Sequence, residues 1–340
     1  MRVLVTGAAG FLGTAVVERL LARGQVEIRC LARTAHRQSH LEALRARFPA
    51  ADIEQVVGNL TCPKDAARIV DGVETIYHLA AGMRGSPADL FLNTVVGSKN
   101  LMEAAVNCKR IKMVHVSSFG VYGVAGLSRG ALITEESPLD PNPELRDAYS
   151  FAKSLQERVI RDFHDRFGFD LVILRPGVIY GPGGSPFSVR VGLSLPGLFL
   201  HCGGSNRLPL TYVTNCAEAI TVAGGHEGRG LQVYNVLDDD LPTSRRYLAE
   251  YKRQVGAVRS FPVPYPLICL LSAAIEKYHI ASKGQLPAFI TPYKAASAWK
   301  GNRFDNRRLK SIGWKQLVPT TDGMRRSFEY LRGKQTASER

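Results

Sequence analysis

The sequence predicts an α/β fold, with a doubly wound parallel sheet and a smaller, mostly helical domain. Short apolar strands alternate with helices through the first half of the chain. A glycine-rich turn follows the first strand, and the chain is mostly helical after residue 238. Parallel strands joined by helices form a sheet covered on both faces, and such sheets bind ligands beyond the carboxyl ends of their strands.

The first half of the chain supplies most of the predicted elements. Strands are expected at 2–6, 26–32, 53–57, 75–79 and 111–116, because each is a short apolar run. Helices with apolar residues at helical spacing fall between them at 11–20, 41–48, 66–70 and 100–106. A longer helix at 149–167 and a strand at 170–174 complete this half.

The pattern changes after residue 175. Gly and Pro are dense from there to residue 204, which favours an irregular segment lining a pocket. A strand at 210–213, a helix at 217–223 and a strand at 231–236 follow. We therefore assign residues 1–176 and about 208–237 to the sheet domain and residues 177–207 and 238–332 to the smaller domain. Residues 333–340 are expected to form a flexible tail.

The composition is that of a globular protein, with 45% hydrophobic and 22% charged residues. The formal net charge is +14, and residues 300–340 carry 11 basic and 4 acidic residues, half of that excess. We expect a solvated basic surface, although such a surface also suits an anionic membrane or a phosphorylated ligand. No zinc-finger spacing or aromatic-interleaved basic repeat is present, so no nucleic-acid partner is expected.

The six cysteines form no CxxC pair and no cluster with histidine, so we expect a reducing compartment and no metal. The chain starts with a strand pattern, and no apolar run reaches the roughly 20 residues of a membrane span. These features predict a cytoplasmic protein. The apolar segment 266–275 fits either a buried helix or a helix lying on a membrane surface.

A glycine motif, TGAAGFLG at 6–13, joins the first strand to the first helix. Gly7 and Gly10 let the backbone turn and approach a pyrophosphate, and Gly13 lets the helix pack closely on the sheet. The helix N-terminus offers free N–H groups and the positive end of its dipole. In this strand–turn–helix context, the spacing predicts a dinucleotide-binding domain of the Rossmann type.

Three further residues predict proton and carbonyl chemistry. Tyr149 and Lys153 are four residues apart on a predicted helix and so share a face. A free tyrosine has a pKa of about 10. We expect the ammonium to lower the pKa of Tyr149 toward neutrality. Ser118 follows the fifth strand, where its hydroxyl can hydrogen-bond to a carbonyl oxygen in the crevice.

These motifs, together with YHLAA (77–81), HVSSFGVYG (115–123) and RPGVIYGPGG (175–184), resemble the extended short-chain dehydrogenase/reductase family over nearly the whole chain. This NAD-dependent epimerase/dehydratase group implies a Rossmann domain, a substrate domain and hydride transfer between nicotinamide and a secondary alcohol or ketone carbon. By resemblance, Ser118 orients the carbonyl, Tyr149 is the acid/base and Lys153 also holds the nicotinamide ribose. Family members are often homodimers, so a second copy is an expected partner.

The same motifs imply the contact residues. Expected cofactor contacts are Gly7, Ala9, Gly10, Phe11, Leu12, Gly13, Arg33, Asn59, Leu60, Leu79, Ala80, Ala81, Tyr149, Lys153, Pro176 and Val178. Expected substrate contacts are Ser117, Ser118, Phe119 and Arg207. The chain departs from the family at two of its positions: Thr94 stands where an Asn precedes Gly97, and Asn59 stands in place of an Asp.

The residues at the end of the second strand help to predict which dinucleotide binds. That end carries Arg33, with Arg37 close behind, and no carboxylate to bond the ribose 2′-hydroxyl of NAD. A guanidinium pairs well with a 2′-phosphate, so we favour NADP(H). NAD(H) is the alternative, in which Arg33 stacks on adenine.

The substrate is less well indicated. Phe119 follows Ser118 where dehydratase relatives place an acidic pair, which disfavours dehydration. Arg207 lies one residue out of register from the arginine that binds the substrate pyrophosphate in sugar-nucleotide epimerases, and residues 203–215 look more like the 3β-hydroxysteroid dehydrogenase branch. We favour a nucleotide-sugar epimerase or reductase, with a sterol or lipid alcohol dehydrogenase or ketoreductase nearly equal. A non-catalytic dinucleotide sensor is the third alternative.

Overall fold

The computed structural model describes residues 2–33, 38–108, 111–283, 285 and 290–338. Its strands, in chain order, are β1 (Val3–Thr6), β2 (Glu27–Ala32), β3 (Asp52–Val57), β4 (Thr75–His78), β5 (Lys112–Val116), β6 (Leu132–Ile133), β7 (Asp170–Pro176), β8 (Val178–Tyr180), β9 (Gly192–Leu195), β10 (Leu198–His201), β11 (Leu210–Tyr212), β12 (Leu231–Val236), β13 (Ser260–Pro262) and β14 (Arg303–Phe304).

The helices of the same residues are α1 (Phe11–Ala22), α2 (Gln38–Arg47), α3 (Pro63–Val70), α4 (Pro87–Phe91), α5 (Gly97–Ala105), α6 (Ala148–Phe167), α7 (Val213–Gly225), α8 (Ser244–Gln254), α9 (Tyr265–Ala281), α10 (Pro292–Trp299), α11 (Arg307–Ser311) and α12 (Thr320–Ser338). A π-helical turn at Leu92–Val96 joins α4 to α5. The predicted strands and helices of the first half are all present, with ends shifted by a few residues.

Seven parallel strands form the main sheet in the order β12-β7-β5-β4-β1-β2-β3. The chain moves outward from β1 to β3 on one side and then resumes at β4 on the other side of β1. The strand order therefore reverses between β1 and β4, where Thr6 lies opposite His78. Their carboxyl ends leave a crevice between diverging helices, the usual ligand position in such sheets.

The two faces of the sheet bury separate apolar clusters. Because successive strand residues point to opposite faces, Val3 and Val5 pack with helices α1 and α7, while Leu4 packs with α3, α5 and α6. All seven strands fall in the segments that the sequence assigns to the dinucleotide-binding domain. This arrangement matches the predicted doubly wound parallel sheet.

The segment after β7 differs from the prediction. Residues 177–204 were expected to be irregular, but β8, β9 and β10 lie within them. β8 pairs with β11, and β10 lies between β9 and β13. Each strand has only three or four residues and gains its order from distant partners, so local sequence gave little signal. Phe187, Tyr247, Tyr251 and Phe328 join α8 and α12 to this segment.

Two more expectations concern the C-terminal half. Helix α12 continues through residues 333–338, which were assigned to a flexible tail, and residues 339–340 lie outside the described part. Helix α9 contains the apolar segment 266–275, but only Ile268 and Ser272 are buried on it, while Leu270 is 67% exposed. A fully buried helix is therefore the wrong interpretation of that segment. None of the described helices is long and apolar enough to cross a bilayer.

Helix α6 is held to the sheet by a buried charge cluster. The Glu157 carboxylate accepts hydrogen bonds from Arg175 Nη2 at 2.6 Å on β7 and from Ser117 Oγ at 2.5 Å just after β5. Burial acts to raise the pKa of Glu157, but the Arg175 guanidinium and the Ser117 hydroxyl outweigh it and hold that pKa below its ordinary value. The carboxylate therefore stays ionised and ties one helix to two strands.

We predict that Glu157→Gln destabilises the fold by about 3–5 kcal/mol, because the substitution leaves the buried Arg175 charge without a counterion. The urea unfolding midpoint of the purified protein measures this. Glu103→Gln is the matched control, since Glu103 is half exposed and contacts Lys99 at 3.4 Å on the surface of α5. That control should shift stability by about 1 kcal/mol or less. Equal midpoints for the two variants would contradict the prediction.

Candidate active site

The glycine turn fits a pyrophosphate. Gly7 has a φ of +71°, which only glycine adopts easily, and Gly10 N donates to Gly7 O at 2.9 Å. A Cβ on Gly13 would lie 2.1 Å from Gly7 O, so α1 can approach the turn only with glycine there. Gly10 caps α1 without a side-chain hydrogen bond, which leaves N–H groups of the first turn available to an anion.

A buried polar network fixes the crevice beside this turn. Thr6 Oγ1 contacts His78 Nδ1 at 2.8 Å and accepts the N–H groups of Leu79 and Ala80 at 3.2 Å. His78 Nε2 lies 2.7 Å from Ser98 Oγ on α5. Burial lowers the pKa of His78 to about 3, so its ring is neutral and serves as a hydrogen-bonding bridge.

The network continues to the predicted lysine through Gln156. Gln156 Nε2 donates to Ser98 Oγ at 2.7 Å and to Ala80 O at 3.2 Å. Its Oε1 accepts from Lys153 Nζ at 2.6 Å, and Nζ also donates to Val116 O at 2.6 Å. Burial lowers the pKa of Lys153 to about 7, partly opposed by Glu157. Two carbonyl-type oxygens thus set the position of a buried amine.

Tyr149 lies one turn before Lys153 on the same helix. Burial raises the pKa of Tyr149 to about 12, while a hydrogen bond with Ser118 acts to lower it and the Asp147 carboxylate acts to raise it. The expected lowering of the Tyr149 pKa by Lys153 is therefore wrong. Desolvation is the larger effect, and Lys153 is not among the groups that shift this phenol. Tyr149 is a protonated donor at neutral pH.

Ser118 and Tyr149 both line a cavity of about 430 Å³, together with side chains of segments 177–193 and 290–299. The Ser118 hydroxyl accepts Gly120 N at 3.0 Å at the start of a short 3₁₀ turn. Apolar side chains of these two segments form much of the wall: Val178, Val189, Leu193, Ile290, Ala298 and Trp299. The cavity also contains the cations of Arg146, Arg190 and Lys294. A carbonyl group in this cavity can reach both hydroxyls of the predicted pair.

The other residues predicted to contact the substrate do not all line the cavity. Phe119 lines the cavity, and its ring packs on Tyr122 at 5.3 Å between ring centroids. Ser117 instead turns its hydroxyl inward to Glu157, and the residue is 3% exposed. Arg207 Nη1 donates to Leu241 O at 3.0 Å, and Arg207 is not among the residues that line this cavity. The structure thus gives Ser117 a role in anchoring the helix.

Arg33 and Asn59, which are predicted to contact the adenosine part of the dinucleotide, follow β2 and β3. Arg33 is exposed, and its Nη1 donates to Asn93 Oδ1 at 3.3 Å. Arg37 lies outside the described residues. Asn59 Oδ1 accepts Thr61 N at 3.1 Å, which fixes the turn that includes buried Leu60. This geometry leaves the Arg33 guanidinium accessible to an anion.

Thr94 takes a defined role where the family pattern has Asn. Its Oγ1 accepts Gly82 N at 2.8 Å, and its carbonyl accepts Ser98 Oγ at 2.5 Å. The loop after β4 is therefore still tied to the helix that follows. The departure from the family pattern leaves this connection intact.

The remaining predicted cofactor residues surround the same crevice. Ala9 and Leu12 belong to the glycine turn and the first turn of α1, and Ala81 follows the Leu79–Ala80 segment. The Phe11 ring lies against the glycines at 181 and 184. Pro176 ends β7, and Val178 N donates to Pro209 O at 2.6 Å. The uncapped helix, the glycine turn and the buried amine together fit a dinucleotide.

Sequence reasoning did not identify three residues of this site. Gln156 and His78 connect Lys153 to the glycine turn, and Arg190 lies in the cavity wall. The polar pair Gln156–Glu157 on the sheet-facing side of a helix was a usable signal, because buried polar side chains need partners. Arg190 is a lone cation in a Gly- and Pro-rich segment, and nothing local marks it.

Comparisons with known proteins agree with this geometry. The model of the NAD dependent epimerase/dehydratase family matches residues 3–236. UDP-glucose 4-epimerase of Mycolicibacterium smegmatis is 28% identical over 355 aligned positions, which cover 98% of this chain and 99% of that protein. The 3beta-hydroxysteroid-dehydrogenase/decarboxylase isoform 1 of Arabidopsis thaliana is 24% identical and covers 97% of this chain and 80% of that protein.

Solved structures share the fold. UDP-glucuronic acid 4-epimerase from Bacillus cereus, in complex with NAD, superposes with a TM-score of 0.74 at 18% identity over 99% of this chain and 98% of that one. The family model covers most of the chain, and its matched span of residues 3–236 includes the glycine turn, Ser118, Tyr149 and Lys153. The chain belongs to the NAD-dependent epimerase/dehydratase family of extended short-chain dehydrogenases/reductases.

Proposed function

We propose that this chain transfers a hydride between a nicotinamide dinucleotide and the carbinol carbon of a secondary alcohol that has an apolar body. The cavity beside Ser118 and Tyr149 carries this proposal, since its wall is largely aliphatic and aromatic. Apolar walls bind the carbon skeleton of a ligand, and a few placed polar groups orient it. The likeness to a hydroxysteroid dehydrogenase/decarboxylase supports the same substrate class.

Different side chains take different roles in the proposed reaction. Ser118 holds the substrate oxygen, and Tyr149 exchanges a proton with it. In the reducing direction the carbonyl carbon gains a hydride, its oxygen gains the Tyr149 proton, and solvent then reprotonates the phenolate. The dinucleotide, when bound, supplies that hydride or accepts it. Because burial holds the pKa of Tyr149 near 12, the protonated phenol is ready to donate.

Lys153 lies one helical turn after Tyr149, on the same face of α6. Its amine is anchored by Val116 O and Gln156 Oε1, so it adds a donor at a fixed place. An anion that forms on the phenol or on the substrate oxygen would favour the protonated form of Lys153. Charge development in the reaction and protonation of this lysine therefore support each other.

Nucleotide-sugar epimerisation is the second candidate. It is favoured by the likeness to UDP-glucose 4-epimerase of Mycolicibacterium smegmatis, which the alignment covers over 99% of its length. Against it, Arg207 is bonded to a backbone carbonyl away from the cavity. An epimerase returns the hydride to the same carbon and leaves its dinucleotide unchanged, whereas a dehydrogenase or reductase changes its dinucleotide in every turnover.

We predict that Tyr149→Phe lowers kcat by about 10²–10⁴-fold, because general acid–base catalysis contributes that much. Dinucleotide affinity should change little, since the phenol hydroxyl acts on the substrate oxygen. Steady-state kinetics and a dinucleotide titration measure the two quantities. Tyr278→Phe, on the exposed surface of α9, is the control and should behave as the parent. Near-normal turnover of Tyr149→Phe would refute the assignment.

We also propose that NADP(H) is preferred to NAD(H). Arg33 supports this preference, because it is exposed at the end of β2 and its only described hydrogen bond is a 3.3 Å contact to a neutral amide. A guanidinium binds a phosphate monoester through paired charge-assisted hydrogen bonds. NAD would gain no such contact at its ribose hydroxyl.

Arg33→Ala should reduce the preference for NADPH over NADH by about tenfold to a hundredfold, since hydrogen bonds to charged groups contribute about 1.5–3 kcal/mol. Dissociation constants for both nucleotides, measured by fluorescence titration, give the ratio. Arg325→Ala on α12, where Arg325 pairs with Glu329 at 2.9 Å, is the control. A parent protein that binds NADH more tightly, or a ratio unchanged in Arg33→Ala, would show that Arg33 does not discriminate.

We propose a peripheral contact with anionic membranes through α9. Leu267, Leu270 and Leu271 form an exposed apolar stripe on this helix, and Lys277 lies exposed near its end. Apolar side chains that enter the lipid interface, flanked by cations, are typical of helices that lie on a bilayer. Helix α10, which lines the cavity, packs on α9, so this contact would bring a lipid substrate near its site.

Flotation with phosphatidylglycerol vesicles should carry the parent protein upward, and the double variant Leu270→Glu, Leu271→Glu should lose most of that binding. Pure phosphatidylcholine vesicles should bind less, because the surface charge is absent. Leu317→Glu is the control, as Leu317 is 44% exposed outside α9. Absence of flotation with both vesicle types, or flotation unchanged in the double variant, would count against the membrane contact.

A further inference from the structure

Arg190 places an unpaired positive charge in the wall of the catalytic cavity. It lies just before β9 and lines the same cavity as Ser118 and Tyr149. Arg190 is partly buried, and the wall around it combines the apolar Val189 and Leu193 with the charged Arg146, Asp147 and Lys294. Burial lowers the pKa of Arg190 to about 10, which still leaves it charged at neutral pH.

Among the described residues, the other charged groups near the cavity form no direct ion pair with Arg190. Arg146 donates to Asp140 Oδ2 at 2.8 Å, so that carboxylate already has a cation. Asp147 acts electrostatically in favour of charged Arg190, but its two oxygens accept Ser150 N at 3.0 Å and Ser150 Oγ at 2.7 Å as the cap of α6. Within the described part of the chain, Arg190 has no hydrogen bond or ion pair.

A partly desolvated guanidinium without hydrogen bonds is unfavourable, and a bound anion would remove that penalty. The planar guanidinium presents paired N–H groups that match a carboxylate or a phosphate. The rest of the cavity offers apolar contacts for a carbon skeleton and two hydroxyls for a reacting oxygen. One ligand that satisfies all three features has an acidic group, an apolar body and a secondary alcohol or ketone.

We propose that Arg190 binds an anionic oxygen group of the substrate, which makes the preferred substrate a hydroxy or keto acid, or its phosphate counterpart, with an apolar body. This proposal rests on the hydride-transfer function and narrows its substrate class. The anion fixes the orientation of the ligand, because it anchors one end while Ser118 and Tyr149 engage the oxygen to be oxidised or formed. Arg190 is thereby a specificity-determining residue.

Binding of stable ligands tests the proposal without turnover. Trp299 lines the cavity, so its fluorescence reports occupancy, and Trp314→Phe removes the other tryptophan, which is buried in the core. In that background, 3-hydroxydecanoate, its methyl ester, decyl phosphate and UDP-glucose are titrated separately. We expect the acid or the phosphate to bind at least about tenfold more tightly than the ester.

Arg190→Gln should remove that preference by weakening the anionic ligand about tenfold to a hundredfold while leaving the ester nearly unchanged. Arg190→Lys should recover part of it, since it restores charge without the paired N–H geometry. Arg253→Gln, an exposed residue paired with Glu250 at 2.6 Å, is the matched control. The thermal midpoint of Arg190→Gln should not fall, because the substitution removes an unpaired charge.

Three results would overturn the proposal: equal affinity of the parent for acid, phosphate and ester; an acid preference that survives in Arg190→Gln; or a lower thermal midpoint of that variant with all ligands weakened alike. Tight binding of UDP-glucose alone, lost in Arg190→Gln, would also overturn the apolar-body class and assign Arg190 to a diphosphate. Tyr149→Phe should keep the acid preference. Failure of hydride transfer and failure of this anion site therefore give different results.

Discussion

The buried amine of Lys153 is the constraint on which the site depends. An amine with 2% of its residue surface exposed must find acceptors inside the protein, and Val116 O and Gln156 Oε1 supply them at 2.6 Å. Gln156 then has to satisfy its own amide through Ser98 and Ala80. The demand for hydrogen bonds thus draws α6 onto the carboxyl ends of β4 and β5.

Glu157, which follows Gln156 in the sequence, fixes α6 to the sheet through a second set of contacts. Its contacts with Ser117 and Arg175 fix α6 against β5 and β7, so Tyr149 enters the cavity at one place. The burial that holds these groups also raises the pKa of the Tyr149 phenol, which makes it a proton donor. The proposed chemistry relies on this protonated phenol.

Sequence predicted the sheet because its strands are short apolar runs separated by helical periodicity, and it predicted the glycine turn because Gly7 and Gly13 have specific backbone demands. Residues 177–204 were misjudged because their strands depend on partners distant in sequence. The direction of the Tyr149 pKa shift was predicted wrongly, because the four-residue spacing shows that Lys153 is close but does not show that the phenol is buried. Arg190 could be identified only from the cavity that it lines, and no local sequence pattern defines that cavity.

The most direct test of the proposed hydride transfer traces one hydrogen atom from the dinucleotide to the product. The protein is supplied with NADPH carrying deuterium at nicotinamide C4, on either face, and with 3-oxodecanoate, and the products are analysed by mass spectrometry. Hydride transfer of the kind proposed predicts deuterium at the carbinol carbon of 3-hydroxydecanoate and one NADP⁺ for each alcohol formed. Absence of label from the alcohol with both labelled nucleotides, or interconversion of nucleotide sugars with no net change in nucleotide, would contradict it.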